Sequence, residues 1–359
     1  MAAVRSHRVV VIRGDGIGPE LVDAALAVLA AAEQALGFRL EIDLREGGAG
    51  LYRASGASLA SGTLDAIKRA DAAMKGPVGL PEVRLPDGTE AGLLGGVLRI
   101  GLDAYANVRP VRLLPGVDAP LKSKPGEIDY VIVRENTEGL YLSRGKGVGN
   151  DRAMADTLLV TREGVERVAR YAFELARRRG RGQRVTCVDK ANVLASLAFF
   201  RRVFDEVGEA YPDVAREHLY ADAAAQALVL EPQRFDVLVM ENFLGDILSD
   251  LGGATVGGIG LCPSGNIGDR HAYFEPIHGS APGLAGTDKA NPVSQVLCAA
   301  MMLEHLGEAD AAALVRRAVD TALGEGKLVI DRLGQPEGGT RRAAEMLAAA
   351  VRTLAFTQE

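Results

Sequence analysis

Short apolar runs of strand length alternate along this chain with longer segments of helical periodicity, and that alternation constrains its fold more than any other feature. Arg8-Val9-Val10-Val11-Ile12-Arg13 reads as a buried strand, followed by a glycine turn and an Ala/Leu/Val-rich helix to about Leu36. Residues 72–74 end another short strand, residues 105–112 are extended, and residues 128–134 form a clear strand. Residues 161–179 make an amphipathic helix with a capping signal at Thr161. A strand over 184–188, a helix over 194–207, a short strand to Tyr220 and a helix opening at Ala221 come next. The apolar run 235–240 then feeds a helix expected to begin near Gly245, and helices near 293–306, 309–323 and 340–354 close the chain. Residues 80–92 read as an exposed loop and 257–269 as a glycine-rich loop. Residues 93–102 look helical, although Gly95 and Gly96 weaken them. Strands alternating with helices predict an α/β class.

The first turn, Gly14-Asp15-Gly16-Ile17-Gly18-Pro19-Glu20, sits between a strand and a helix, as a dinucleotide-binding loop would. The position of the third glycine in G-x-G-x-x-G holds Pro19. A tight strand-to-helix turn is therefore the better reading, and the fold is not expected to be of the Rossmann type.

Composition narrows the function. Over 359 residues a net charge of −6 argues against nucleic acid or an anionic membrane as the main partner. No apolar run has transmembrane length, and residues 1–8 lack the apolar core of a signal peptide. The three cysteines, Cys187, Cys262 and Cys298, are far apart and form no C-x-x-C motif, which predicts reduced thiols in a cytoplasm.

The residues with chemical promise cluster near strand ends, where α/β folds carry their sites. Asp246 and Asp250 lie four apart, one turn above the other on one helix face. Such pairs are often solvated surface, but Leu244, Ile247, Leu248 and Leu251 surround this one. Partly buried like charges need a cationic partner, and a hard ion such as Mg2+ or Mn2+ suits carboxylate oxygens. Arg99, Arg109 and Arg134 stand in or beside apolar segments. One such arginine reads as a surface ion pair; three suggest a planar clamp for carboxylates. Taken singly, Tyr141 reads as packing, Lys190 beside Asp189 as a paired surface lysine, and Asp222 as a helix cap.

In order along nearly the whole chain, several segments resemble the β-decarboxylating dehydrogenases, which include isocitrate, homoisocitrate, 3-isopropylmalate and tartrate/D-malate dehydrogenases. They are Gly14 to Glu20, Leu98-Arg99 through Arg109-Pro110, Val133-Arg134-Glu135-Asn136-Thr137-Glu138-Gly139-Leu140-Tyr141, Asp189-Lys190-Ala191-Asn192, Asn242 to Asp250 and His278-Gly279-Ser280-Ala281-Pro282. The resemblance implies a two-domain fold with a mixed sheet like that of isopropylmalate dehydrogenase. A large cofactor domain would comprise residues 1–104 and 257–359, and a smaller dimerisation and substrate domain residues 105–256, with the active site in the cleft between them. Asp246 and Asp250 would bind the metal together with Asp222 of the other subunit of a homodimer. Arg99, Arg109 and Arg134 would grip substrate carboxylates. Lys190, also from the partner, would take the C2 hydroxyl proton, and Tyr141 would protonate the enol left after CO2 departs. Asn192 would lie near the nicotinamide, and the adenosine loop would use His278, Gly279, Ser280, Ala281, Gly283, Leu284 and Asn291. Leu93, Leu94, Gly95 and Gly96 would face the C3 substituent.

The expected cofactor is NAD, with Mg2+ or Mn2+ and room for K+. Gly283 stands where NAD-using relatives carry an aspartate, which leaves NADP open. The expected substrate is a C3-substituted (2R)-malate, with 3-isopropylmalate first and tartrate/D-malate or homoisocitrate/isocitrate next. A non-catalytic regulatory subunit would tend to lose the lysine, tyrosine or aspartates, and all are present. A Mg2+-dependent phosphoryl-transfer enzyme would need a phosphate-cradling G-K-[ST] run, which is lacking.

Overall fold

A computed structural model of the chain describes residues 5–356; both ends of the expected large-domain segments, residues 1–4 and 357–359, lie outside it. The strands are β1 (Arg5–Ile12), β2 (Phe38–Arg45), β3 (Ala72–Lys75), β4 (Ala106–Arg112), β5 (Asp129–Glu135), β6 (Val148–Asn150), β7 (Ala153–Ala155), β8 (Arg184–Asp189), β9 (Ala215–Tyr220), β10 (Val237–Met240), β11 (Pro263–Ile267) and β12 (Ala272–Pro276). The helices are α1 (Gly18–Leu36), α2 (Ala49–Ser55), α3 (Thr63–Arg69), α4 (Gly95–Gly101), α5 (Arg162–Arg179), α6 (Ala195–Gly208), α7 (Ala221–Leu230), α8 (Asn242–Thr255), α9 (Val293–His305), α10 (Ala309–Gly324) and α11 (Thr340–Phe356).

Among the described residues, one ten-stranded sheet runs in the order β2-β1-β3-β12-β11-β4-β5-β10-β8-β9, and β6 and β7 form a separate exposed hairpin. The outer strands pair in parallel, whereas β12–β11, β11–β4 and β4–β5 are antiparallel. Parallel strands need helical crossovers, which cover both faces and explain the near-continuous apolar strands. In the first half, Val9, Val11, Met74 and Phe274 pack beneath α1, α9, α10 and α11, while Val10, Ile12, Ala73 and Tyr273 face α3 and α4. In the second half, Val131, Val133, Val185 and Val239 pack against α5 and α6, while Tyr130, Ile132, Leu238 and Met240 face α7 and α8. Two-residue alternation along each strand thus serves two cores at once.

The structure differs from the sequence expectations in identifiable places. The helix after β10 starts at Asn242 rather than near Gly245, because the Glu241 carboxylate accepts from the amides of Phe243 and Leu244 and caps it. The stretch expected as loop, 257–269, contains β11, whose glycine and proline content hid a short buried strand: Gly265 packs under the Phe274 ring, where a Cβ would approach to 2.9 Å. Within the loop 80–92, Val83 and Ala91 are buried rather than exposed. In the first turn, Gly14 and Gly16 have positive φ and abut Pro77 and Ser280, so their lack of a Cβ serves loop-to-loop packing. No helix among the described residues is long and apolar enough to cross a membrane.

Candidate active site

Helix α8 carries the two aspartates to the sheet face where Arg109 and Arg134 emerge from β4 and β5. Arg134 is almost wholly buried; its Nε and Nη2 donate to Asn242 Oδ1 at 2.9 and 2.7 Å, and Nη1 to Asp246 Oδ1. Gly245 is required on this face, since a Cβ there would lie 2.6 Å from the Arg134 side chain. Arg109 donates from Nε to Asn107 Oδ1 at 2.5 Å and from Nη1 to Ser249 Oγ at 2.6 Å. Its Nη1 lies 3.3 Å from Asp246 and 3.8 Å from Asp250. Arg99, at the end of α4, adds a third guanidinium to the same field, and its buried Nε has no hydrogen-bond partner. Tyr141 closes the cluster, donating to Asp246 Oδ2 at 2.8 Å, with its ring edge against Phe243 and the Arg134 guanidinium 5.5 Å from its centroid.

Charge crowding governs these groups. Burial, then Arg99 and Arg109, push the Arg134 guanidinium down to about 9, so it still carries its proton at neutral pH. Burial, then the hydrogen bond to Asp246, push the Tyr141 phenol up to about 12. Asp246 is held below the usual carboxylate range: burial opposes this, and the Arg134 and Arg109 charges overcome it. Asp250 moves the other way, raised by burial with Asp246 adding repulsion. One aspartate is thus satisfied and the other is not.

Lys190 and Asp222 form a second cluster at the ends of β8 and β9. Lys190 Nζ donates to Asp222 Oδ1 at 2.7 Å, and no hydrogen bond or ion pair among the described residues links either one to Asp246, Asp250 or Tyr141. Asp189, completely buried, accepts from Arg201 at 2.7 Å on both oxygens and from the Ala191 amide at 2.8 Å. Asn192 follows in the turn between β8 and α6. Among the described residues no three carboxylate, histidine or cysteine side chains are grouped so as to hold a metal.

The loop after β12 carries the residues expected to meet a dinucleotide. Ser280 donates its hydroxyl to the Gly79 carbonyl, and its own carbonyl accepts from the Ile17 amide at 2.8 Å. His278 Nδ1 lies 2.9 Å from the Gly279 carbonyl, and Asn291 accepts from the Val293 amide at 3.1 Å. His278 Nε2 and Asn291 Nδ2 are buried without partners, as polar atoms kept for a ligand would be. Ala281 adopts φ +36°, Gly283 is exposed with open space around it, and Leu284 packs on Ile17, Leu21 and Ala290. In the expected C3 pocket, Leu93 is half-buried and a Cβ on Gly95 would point at Arg99, 3.6 Å from Cζ. Gly96 is open, and Leu94 is fully buried beside Val10 and Ile12, a core position.

Sequence reasoning passed over Asn242, Asn107 and Ser249, which orient the arginines, and the buried Lys75–Glu275 ion pair behind them. A lysine ending the apolar run Ala72–Lys75 was the available signal.

Three guanidiniums, two carboxylates and a phenol thus gather on one face of the mixed sheet, an arrangement suited to holding an anionic ligand. Residues 8–347 match the family model for isocitrate/isopropylmalate dehydrogenase, and the chain belongs to that family. It is 45% identical to a 3-isopropylmalate dehydrogenase of Thermobifida fusca, over 90% of this chain and 93% of the relative. It is 42% identical to a 3-isopropylmalate/3-methylmalate dehydrogenase of Methanocaldococcus jannaschii, over 89% and 92%. Among solved structures, the isocitrate dehydrogenase of Methylococcus capsulatus superposes with a TM-score of 0.87 at 39% identity, over 96% of this chain and 99% of that one. The protein is accordingly a decarboxylating dehydrogenase acting on a hydroxy acid.

Proposed function

We propose that the chain oxidises and decarboxylates a (2R)-malate bearing an alkyl group at C3, with 3-isopropylmalate or a close relative as substrate, and NAD and Mg2+ or Mn2+ as cofactors. The observation that carries this reading is the crowding of Arg99, Arg109 and Arg134 about Asp246 and Asp250, with Arg99 Nε buried and unpartnered. Relatives named as 3-isopropylmalate dehydrogenases at this identity support the choice of substituent.

The donor set fits a hard dication, being all oxygen, with Asp250 lacking a close cationic partner. Three guanidiniums against two carboxylates leave one excess positive charge. A dication together with the partner subunit's Asp222 raises that excess to two, which a substrate with two carboxylates cancels. Held by Asp246, Asp250 and the partner subunit's Asp222, a dication would supply charge to polarise the alcohol and steady the enolate, and a nicotinamide beside Asn192 would supply the hydride acceptor. The chain's own residues do the remainder. The arginines hold the carboxylates and orient C2 and C3. The partner subunit's Lys190 takes the hydroxyl proton as alcohol becomes ketone. The C3 carboxylate then leaves as CO2, and Tyr141, which keeps its proton at neutral pH, delivers it to the enol carbon.

In this reading residues 1–104 and 257–359 carry the cofactor, with Asn192 near the nicotinamide and His278, Ser280 and Asn291 along the adenosine half. Residues 105–256 carry the dimer contacts, and the enzyme works in the cytoplasm as a homodimer. Absorbance of reduced nicotinamide, followed with Mn2+ and K+ over a panel of malates bearing hydrogen, hydroxyl, methyl, isopropyl and carboxyalkyl groups at C3, tests it. The highest kcat/KM is expected for isopropylmalate. A preference for isocitrate, homoisocitrate or D-malate overturns the substrate assignment, and inactivity on every malate overturns the reaction.

A further inference from the structure

Behind the arginine cluster a chain of buried polar side chains crosses the antiparallel centre of the sheet. Arg109 Nε donates to Asn107 Oδ1 at 2.5 Å, and Asn107 Nδ2 donates to Asn266 Oδ1 at 3.0 Å. Asn266 Nδ2 in turn donates to Glu275 Oε1 at 3.0 Å, and the other Glu275 oxygen pairs with Lys75. Asn136, just past β5, adds a second donor to Asn266 Oδ1 at 2.9 Å. Asn107 and Asn266 are fully buried, and Lys75, Arg109 and Asn136 nearly so. Asn107 and Asn266 are direct cross-strand partners, and Glu275 pairs with Ser264 two residues along, so all lie on one sheet face.

The direction of every donor is fixed from the ends. Arg109 has only hydrogens to give, so Asn107 must turn its oxygen outward and its nitrogen inward. Glu275 is an acceptor held ionised against burial by Lys75, with Arg99 and Arg109 adding to the field, so Asn266 must turn its nitrogen toward it. The uncharged amide at position 266 accepts from two asparagines and donates to a carboxylate at any pH. Reversing Asn107 or Asn266 would set donor against donor and acceptor against acceptor, which makes their orientation single-valued, while Asn136 Oδ1 finds no partner among the described residues.

The two ends touch different parts of the site. Arg109 reaches Asp246 and Asp250. Lys75 starts the loop whose Gly79 carbonyl receives the Ser280 hydroxyl, and Glu275 precedes His278 by three residues. We infer that Asn266 is a positioning residue, holding the substrate-gripping Arg109 and the Lys75–Glu275 root of the cofactor loop in one polarised relay. The inference rests on the reading above in taking Arg109 as a carboxylate ligand and the Ser280 loop as the cofactor's.

Asn266→Asp is the decisive variant. The introduced carboxylate still accepts from Asn107 and Asn136 but repels Glu275; once protonated, it donates to Glu275 and the relay is whole. The charged and titratable groups around it are Glu275, Lys75, Arg109, Arg99 and Tyr273, its cross-strand partner. Burial directly against the Glu275 carboxylate favours the protonated form, which is present at low pH and lost as pH rises. At pH 8 kcat/KM should fall about a hundredfold, the scale for a displaced binding group, with KM raised for hydroxy acid and cofactor alike. By pH 6 the deficit relative to wild type should shrink at least about tenfold. Asn266→Leu should show the loss with no recovery, and if it does not fold the aspartate variant alone decides. A deficit that stays constant with pH, or a change confined to one of the two KM values, overturns the relay. If wild type turns over no malate, the proposed function fails separately. Dissociation constants for NAD, measured by fluorescence over the same pH range, then decide: pH-dependent weakening in Asn266→Asp supports the relay and an unchanged constant sinks it.

Discussion

At the end of β10 three guanidiniums crowd two carboxylates, whereas at the ends of β8 and β9 opposite charges pair off. Arg109 is shared between Asp246 and Asp250 at 3.3 and 3.8 Å, distances at which neither bond is well made. Asp189, by contrast, has both oxygens matched to the Arg201 fork at 2.7 Å, and Lys190 meets Asp222 at the same distance. The first cluster, with Arg109 and Arg134 buried and its carboxylates partly exposed, is in excess of one sign, an arrangement that folding alone would not keep. In the proposed reading, substrate carboxylates and a metal would complete it. The second is satisfied within the chain, so its Asp189 is a structural counter-charge, and Lys190 and Asp222 stay available at its more exposed rim.

Two charge-neutralising substitutions sharpen this contrast. Asp246→Asn should remove turnover altogether, measured at saturating Mn2+, while the protein stays folded because the amide oxygen can still accept from Arg134 and the amide nitrogen can donate to the Tyr141 hydroxyl, which turns to accept. Retention of near-normal activity at limiting Mg2+ or Mn2+ would place the metal elsewhere. Asp189→Asn should do the opposite, costing about 3–5 kcal/mol of stability as a broken buried pair. Denaturant melts of the two variants side by side check this, and equal destabilisation would erase the distinction between the clusters.

The C3 pocket offers a smaller effect. A side chain grown from Gly95 points toward Arg99, into the space proposed for the C3 substituent. At about 0.8 kcal/mol per buried methylene, filling it with Gly95→Leu should cost isopropylmalate some tens-fold in kcat/KM and spare D-malate. The ratio of the two values in wild type and variant is the measurement; an unmoved ratio removes Gly95 from the pocket. Leu94 belongs to the core, so Leu94→Ala should lower the melting temperature instead.

Much of this was legible in the sequence, and the reason differs from place to place. The strand Asp129–Glu135 announces itself as a short apolar run buried on both faces, and helix Arg162–Arg179 because its burial follows the helical period. The aspartate pair was visible because helical spacing fixes a shared face, and the arginines because charge within apolar runs is rare. The strand Pro263–Ile267 was hidden, since its partners lie on β4 and β12 and its own residues are turn formers. Asn107, Asn242 and Asn266 were silent for a related reason: an asparagine in sequence reads as a turn or cap, and only the strand register shows which charge it serves. The meeting of Lys75 with Glu275, 200 positions apart, carries no local signal beyond a lysine in a buried run.

Subunit mixing addresses the one link that the contrast between clusters leaves open, the arrival of Lys190 and Asp222 at the metal site. Among the described residues of one chain they pair with each other, and no hydrogen bond or ion pair joins them to the arginine cluster. If they serve a neighbouring subunit, then Lys190→Ala and Tyr141→Phe damage different halves of a composite site. Each variant alone should be inactive by about 10²–10⁴-fold, the scale of a lost acid or base. After random exchange at equal amounts, half the dimers are mixed, and each mixed dimer assembles one site with both groups intact. Roughly a quarter of wild-type activity should therefore return, as expected for a two-fold symmetric dimer. Exchange is monitored separately with differently tagged subunits. Exchange without recovery would mean that Lys190 reaches Tyr141 within its own chain or not at all, and the exposed Lys190–Asp222 pair would then be surface electrostatics.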